Sequence, residues 1–473
     1  MPLVLFMIAC TTNVYQSYYS VTDVPTDTTE TVAPSDTPSD TGWVEIDPPV
    51  EVNVSTEELA FDPFMDDGNV YWFDVSEETL LAMNTAYMNG DWYYGPLYTV
   101  DDEGEADVAA EHLYVMDVTQ ACADYERVQT NIVGQSSGTT WTTTTIPNLS
   151  LDSNEYVSEQ YFDYVNLIDH VRLNNAQVGS MYGEPSALAI YAALGYPVPK
   201  TAYAFVGGTP WQNAEVLVPE IAVEVYKPAF CDEHAKELGG GCVNIWEGQG
   251  TDISTWSVAQ FDNGCEISTG CDSTHLAEFA TVVEASLYQP GFEEATEAYF
   301  DWELFHTFQC VEWYIEAGDD YINNLNNVVL FEGDDDRFRL MPYSLDISAG
   351  LAWGGAWMDM PLFGWANMSM GCQYDPECYE HTIARCSEVI DAVEALDVAN
   401  TILVDLHDRL AATRAPWGDD GGNGMLRSPD DSAYETATDF YQNRPAAARE
   451  ELAALVPPYS TGCDTGTLCD TGF

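Results

Sequence analysis

Positive charge is scarce in this chain. Its 473 residues carry 13 Lys and Arg against 79 Asp and Glu, a formal net charge of −66, and Lys200, Lys227 and Lys236 are the only lysines. Nucleic-acid binding draws its affinity from cations that neutralise phosphates, and attraction to anionic lipid does the same, so both are excluded as electrostatic partners. After the N-terminus no stretch approaches about 20 uninterrupted apolar residues, the length a spanning helix needs. Several catalytic signatures are also missing. No Gly-x-Ser-x-Gly surrounds Ser136-Ser137, no Lys-Ser/Thr follows Gly239-Gly240-Gly241, and none of the 7 histidines falls into a His-x-x-x-His pair.

What is present demands a folded body. Apolar residues make up 46% and aromatics 12% of the chain, too many for a disordered acidic polymer. At about 100–200 residues per domain, the length suits two or three domains or one large enzyme. So acidic a surface repels itself at low ionic strength and is relieved when salt cuts the Debye length to about 3 Å near 1 M. This predicts a protein working in salty surroundings, with an acidic secreted protein or a calcium-binding surface as alternatives.

The ends point to export. Met1 to Ala9 is a short apolar run followed by Cys10, similar to a bacterial lipoprotein signal in which Cys10 takes the lipid, although the usual basic n-region is absent. A plain secretory signal or a buried first strand are the other readings. Residues 10–49, with the run TDVPTDTTETVAPSDTPSDTG, read as a disordered Ser/Thr/Pro/Asp linker, and 457–473 read as a flexible tail. There are 12 cysteines, and Cys265/Cys271, Cys372/Cys378 and Cys463/Cys469 share a C-x5-C spacing. That spacing is longer than zinc sites use and predicts local disulfides in an oxidising compartment.

Residues 50–456 read as one body of α+β class, strands first and helices second. Strands are expected at 70–75 and 112–118, with a capped helix starting at Ser76–Leu81. A helix is expected over Pro185–Leu194, and strands at 198–206 and 221–226 around a Gly207-Gly208 turn. One long helix is expected over 292–316, with Phe300, Leu304, Phe308, Val311 and Ile315 on one face. A hairpin at 328–331 and 338–341 and helices at 376–410 and 433–455 complete the chain. The acidic runs 101–105 and 334–336 read as solvated turns.

Chemistry concentrates in EAGDDYINNLNNVVLFEGDDDRFRLMPYSLDISAG, residues 316–350. Asp319 and Asp320 follow a helix, Asn326 and Asn327 precede a strand, and Asp346 follows the next strand. An acid, an amide and a second acid at the ends of a hairpin is what phosphoryl transfer uses, one carboxylate taking the hydroxyl proton while Asn and Asp hold a hard divalent ion.

The stretch resembles the CotH kinase family, whose fold is an atypical protein-kinase-like one. Asp320-Tyr321, Asn327 before Val328–Phe331, and Pro342-Tyr343-Ser344-Leu345-Asp346 resemble the family's Asp-x-Tyr, Asn-strand and Pro-Trp-Asp-x-Asp pieces. In the same order, Ile132–Ser137, Arg172–Asn175, Leu194–Thr201, Val223–Phe230 and Phe440–Pro445 with Arg449 and Leu452 resemble other family segments. The resemblance implies ATP with Mg²⁺ or Mn²⁺, Asp320 as catalytic base, Asn327 and Asp346 as metal ligands, and Glu224, Lys227, Ser136 and Ser137 near the nucleotide. It implies a kinase acting on Ser or Thr of surface proteins, anchored in the membrane through Cys10. The chain also departs from the pattern: Ser344 replaces the motif's first Asp, Val133 a Lys, and Glu247 a Lys. These departures leave a second reading, a catalytically degenerate CotH-like binding or structural protein. A third is a glycan-binding or hydrolytic protein, which requires two carboxylates about 5–10 Å apart in a cleft.

Overall fold

The computed structural model describes residues 64, 67–74, 94–96, 99–100, 106–107, 113–117, 133–136, 149–152, 168, 170–174, 181–209, 218–248, 250–267, 269–351, 360–414 and 431–458. The signal and linker at 1–49, the helix start at Ser76–Leu81, Ser137 and the cysteines Cys10, Cys122, Cys463 and Cys469 lie outside the described residues.

Ten short strands come first: β1 (Asn69–Asp74), β2 (Tyr94–Pro96), β3 (Thr99–Val100), β4 (Ala106–Asp107), β5 (Leu113–Asp117), β6 (Val133–Ser136), β7 (Leu149–Asp152), β8 (His170–Asn174), β9 (Thr201–Thr209) and β10 (Val218–Glu224). Eight of them form one sheet in the order β2-β6-β7-β8-β10-β9-β1-β5, and β3 pairs with β4. The sheet is antiparallel except where β1 lies parallel to β9. β11 (Cys242–Gly248), β12 (Val328–Gly333) and β13 (Phe338–Met341) make a second antiparallel sheet. The helices are α1 (Gly183–Ala193), α2 (Pro228–Glu233), α3 (Val258–Asn263), α4 (Thr274–Ser286), α5 (Phe292–Thr296), α6 (Trp302–Tyr314), α7 (Tyr321–Asn324), α8 (Asn367–Tyr374), α9 (Pro376–Leu396), α10 (Ile402–Arg414) and α11 (Asp431–Ala454). The α+β class holds, with strands concentrated in the first half and helices in the second.

Three expectations are corrected. Gly207 and Gly208 are not a turn but part of β9, in register with Trp72 and Phe73 of β1. The long helix at 292–316 is two, α5 and α6. Between them Asp301 N donates to Phe338 O (3.1 Å) and Phe338 N to Tyr299 O (2.7 Å), so 299–301 is held against β13 as an extra rung. Asp301 then restarts the helix by accepting from Leu304 N (3.2 Å). The helix expected at 376–410 also divides, at Asp397 with φ 50°. There Asn400 Nδ2 donates to Asp397 Oδ1 (2.7 Å) and Thr401 Oγ1 to Leu396 O (2.7 Å), offering the backbone local partners in place of helical ones.

The acidic turn between β12 and β13 is also more than a solvated loop. Asp335 takes a forked ion pair from the buried Arg339 (2.8 and 2.6 Å), which reaches Asp301 as well (3.0 Å), and Asp334 Oδ2 accepts from Gly241 N (2.9 Å). Gly333 has to lack a side chain here, since a Cβ would stand 2.6 Å from Arg339 Nη1.

Four disulfides cross-tie the second half: Cys231–Cys242, Cys265–Cys271, Cys310–Cys386 and Cys372–Cys378. Two are expected C-x5-C pairs. Such bonds persist in oxidising compartments, which fits an exported protein. Among the described residues no helix is long and apolar enough to cross a membrane.

One buried group stands out in the large sheet. Glu220 on β10 is fully buried, and neither carboxylate oxygen has a hydrogen-bond partner among the described residues. Burial pushes its carboxyl well above the usual range. The folded state therefore holds a proton that the unfolded chain releases above about pH 4–5, and stability falls as pH rises, by about 1.4 kcal/mol per pH unit for one proton. Denaturant melts of wild type and Glu220→Gln between pH 5 and 8 should show a shallower decline for the variant; equal slopes would contradict this assignment.

Candidate active site

The site is assembled by two loops fastened side by side. After α6, Glu316 turns the backbone at φ 54°, and Gly318 N donates to Ile347 O (2.9 Å) while Ala349 N donates to Ile315 O (2.7 Å). Gly318 permits the approach, because a Cβ would meet Ile347 Cγ2 at 3.0 Å. These two bonds bring the Asp319-Asp320 loop next to the loop that carries Asp346.

Asp320 is buried and caps α7: its carboxylate accepts from Asn323 N (2.9 Å) and Asn323 Nδ2 (3.3 Å). The chain then reverses through Leu325 (φ 56°) and Asn327 (φ 50°), with Asn326 N donating to Asp320 O (3.1 Å). Asp319 is the hub of this turn. It accepts from Asn324 Nδ2, from Asn326 Nδ2 (2.9 Å) and from Asn327 Nδ2, the last at its carbonyl (2.6 Å) and carboxylate (3.3 Å) oxygens. Asn327 thus commits its amide nitrogen to Asp319 and keeps Oδ1 for another ligand.

Asp346 lies beyond β13, after Ser344 at φ 55°, whose hydroxyl donates to Asp346 Oδ1 (3.3 Å). Gly183 at the start of α1 packs on it; a Cβ there would sit 2.9 Å from Asp346 O. Among the described residues, six of the eight non-glycine residues with positive φ fall between 316 and 349. Backbone strain of this kind gathers where side chains must be aimed.

The electrostatics centre on Arg172 of β8. Its Nη2 pairs with the buried Glu184 of α1 (2.7 Å), which also accepts from Asn174 Nδ2 (3.0 Å). The guanidinium stacks on the Tyr343 ring at 4.4 Å. Burial opposes its charge, but Tyr343, Glu184, Glu247 and Asp346 together hold it firmly protonated. Arg172 Nε is buried without a hydrogen-bond partner among the described residues. Burial pushes the Asp346 carboxyl up to about 7, Glu184 and Asp319 adding to the rise and Arg172 opposing it. Burial also pushes Asp320 up to about 7, against its bonds from Asn323 and with help from Asp319. Glu312 of α6, buried and bonded by Tyr191 Oη (2.7 Å), is raised by burial and by the charge of Asp320.

The expected residues divide into two groups. Asp320, Asn327 and Asp346 share one neighbourhood, joined through Asp319. The others are engaged elsewhere: Glu224 Oε2 accepts from Lys200 N (3.0 Å), and Lys227 Nζ pairs with Glu266 (2.5 Å). Glu247, where the resembling family carries a cation, feels the charges of Glu266, Arg172 and Lys227. Ser136 is placed by its backbone on the β6–β7–β8 row, opposite Leu149, which faces Leu173. Sequence reasoning assigned no role to Glu184, Glu312 or Tyr343, and put Asp319 in the loop without one. The Asn-rich run after Asp319 is the one local signal for its part as hub; Glu184 and Glu312 lie inside helices and carry none.

Asp320, Asp346 and Asn327 Oδ1 are oxygen donors of the kind a hard divalent ion takes, and the Arg172 guanidinium close to Asp346 is of the kind that pairs with phosphate. The family model described as CotH kinase protein matches residues 224–386, a span that holds Glu224, Lys227, Asp320, Asn327 and Asp346 but not Arg172 or Glu184. No curated protein matches the chain.

Removing Arg172 tests the site's framework. Arg172→Met leaves Glu184 buried without its cation, bonded by Asn174 alone, and should cost about 3–5 kcal/mol in denaturant unfolding. A loss below about 1 kcal/mol would mean that the pair does not organise the site.

Proposed function

We propose that this chain, whose residues 224–386 carry the CotH kinase match, is an exported kinase with a protein-kinase-like fold that transfers the γ-phosphate of ATP to Ser or Thr of surface proteins. The observation that carries the reading is the convergence of Asp320, Asn327 and Asp346 on one strained double loop beside Arg172. Asn327 Oδ1 and Asp346 would hold Mg²⁺ or Mn²⁺, which when bound neutralises phosphate charge. Asp320 takes the proton of the attacking hydroxyl. Its raised affinity for protons suits a base working near neutral pH. Arg172 Nε donates to a phosphate oxygen, which ends its isolation in the buried site. The tether at 10–49, lipidated at Cys10, holds the domain off the membrane, and the excess of acids suits a saline exterior.

A second reading is favoured by a specific observation. Lys200 and Lys227 are paired with Glu233 and Glu266, and Glu247 replaces a cation. A nucleotide's phosphates would then meet few free charges, and the chain would be a CotH-like binding protein on the cell surface.

Transfer of labelled phosphate from ATP at high salt, with Mg²⁺ or Mn²⁺, separates the readings. Wild type should label a surface-protein fraction, and Asp320→Asn and Asp346→Ala should each lose at least about 100-fold. Equal, background-level incorporation by wild type and Asp346→Ala would remove the kinase reading. Nucleotides that bind the folded state must also raise its thermal midpoint, and silence with every nucleotide–metal pair would favour the binding protein.

A further inference from the structure

Away from the acidic loops, three side chains from three helices converge on one point. Glu293 stands in the first turn of α5, His306 on α6 and His381 on α9. Their ligating atoms all lie within 4.8 Å of one another. His381 Nδ1 is 3.0 Å from Glu293 Oε2, and His306 Nε2 is 3.7 Å from Glu293 Oε1. His381 is half exposed, so the cluster opens to solvent on one side, while His306 is buried.

The tautomer of His306 can be read from its surroundings. Its Nδ1 lies 2.9 Å from Thr382 Oγ1. The Thr382 hydroxyl has one proton, and it donates that proton to Cys378 O (3.0 Å). Its other neighbour, Cys372 Sγ at 3.2 Å, belongs to a disulfide and has no proton to give. Thr382 therefore accepts, and His306 Nδ1 carries the hydrogen. Nε2 on the far side of the ring is buried, has no hydrogen-bond partner among the described residues, and faces the Glu293 carboxylate across 3.7 Å. A ring nitrogen so placed beside a carboxylate calls for a positive charge between them, which a metal ion supplies when it takes the Nε2 lone pair.

We propose that Glu293, His306 and His381 form a binding site for a divalent transition-metal ion of the Zn²⁺ type. Two imidazoles and a carboxylate with one open position is a common zinc donor set, and imidazole nitrogen selects such ions over Mg²⁺. A tetrahedral ion with bonds of about 2.1 Å needs ligand edges of about 3.4 Å. The present edges to Glu293 Oε1, 3.1 Å from His381 Nδ1 and 3.7 Å from His306 Nε2, bracket that value. The hydrogen bond from His306 to Thr382 is the outer-shell contact that fixes a ligating ring. When the ion enters, His381 moves its Nδ1 proton to the solvent-facing Nε2.

The surroundings hold the three ligands ready. Cys310, one turn after His306, is bonded to Cys386, five residues after His381, so α6 and α9 are tied. Cys372–Cys378 ties α8 to α9 three residues before His381. Asp375, the cap of α9, accepts from Glu293 N (2.9 Å) and docks α5 on the same helix end. Burial raises the Glu293 carboxyl, but the two histidines beside it outweigh this and keep it below the usual range. The disulfide takes Cys372 and Cys378 out of ligation, since a thiolate rather than a disulfide sulfur binds metal. No sequence spacing announces the site, because its members are 13 and 75 residues apart along the chain.

The test is equilibrium dialysis of the full chain, stripped with a chelator, against micromolar Zn²⁺ with millimolar Mg²⁺ present, followed by metal analysis. Wild type should retain one Zn²⁺ per chain more than His381→Ala, whose altered residue is exposed and leaves the fold intact. Glu293→Gln should bind at least about 10-fold more weakly than wild type. Zn²⁺ should also raise the thermal midpoint of wild type and leave that of His381→Ala unmoved. Equal Zn²⁺ retention by wild type and His381→Ala, or displacement of the ion by Mg²⁺, would overturn the proposal.

Discussion

Arg172 is the charge on which the candidate site depends. It is a cation buried among Glu184, Glu247 and Asp346, in a chain with few cations to spend. Without it, Glu184 under α1 and Asp346 on the opposite loop would face each other as unscreened anions. With it, α1, β8 and the loop after β13 share one electrostatic centre. An arginine suits this position better than a lysine. Its planar group stacks on Tyr343, pairs with Glu184, and still has an N–H to offer.

The same economy recurs elsewhere. Arg339 gathers Asp301 and Asp335 at the β12–β13 turn. Arg444 of α11 donates to Tyr314 O (2.8 Å) and Trp313 O (3.0 Å) at the end of α6, and pairs with Glu451 (2.6 Å). Buried arginines thus hold the points where elements meet. Among the acids, Glu220, Glu312 and Asp320 sit buried with raised proton affinity, and Asp346 has its own raised in the same way. Disulfides add cross-links, and the four among the described residues lie between residues 231 and 386.

Much of this was legible in the sequence, and the gaps have physical causes. Local signals read well: the β12–β13 hairpin, α1 stopped by Gly195, and two C-x5-C disulfides. What failed depended on contacts between distant segments. The break between α5 and α6 comes from backbone bonds to Phe338, which periodicity within 292–316 cannot reveal. Gly207-Gly208 looked like a turn because glycine is a turn residue, but β1 lies beside it in parallel and makes it strand. The site followed the same rule. Asp320, Asn327 and Asp346 carried a family-like order, whereas Glu184 and Glu312 are helix residues that matter only through what packs against them. Lys227 and Glu224 matched by position, yet their partners, Glu266 and the Lys200 backbone, turn them elsewhere.

On the proposed reading, Asn327 and Asp346 present oxygens to one divalent ion held together with a nucleotide. Electron paramagnetic resonance of Mn²⁺, titrated into the full chain at high salt with and without ATP, reads this directly. ATP should create one tight Mn²⁺ site per chain, and Asn327→Ala and Asp346→Ala should each abolish it. Mn²⁺ uptake that is indifferent to ATP and identical in wild type and both variants would contradict it.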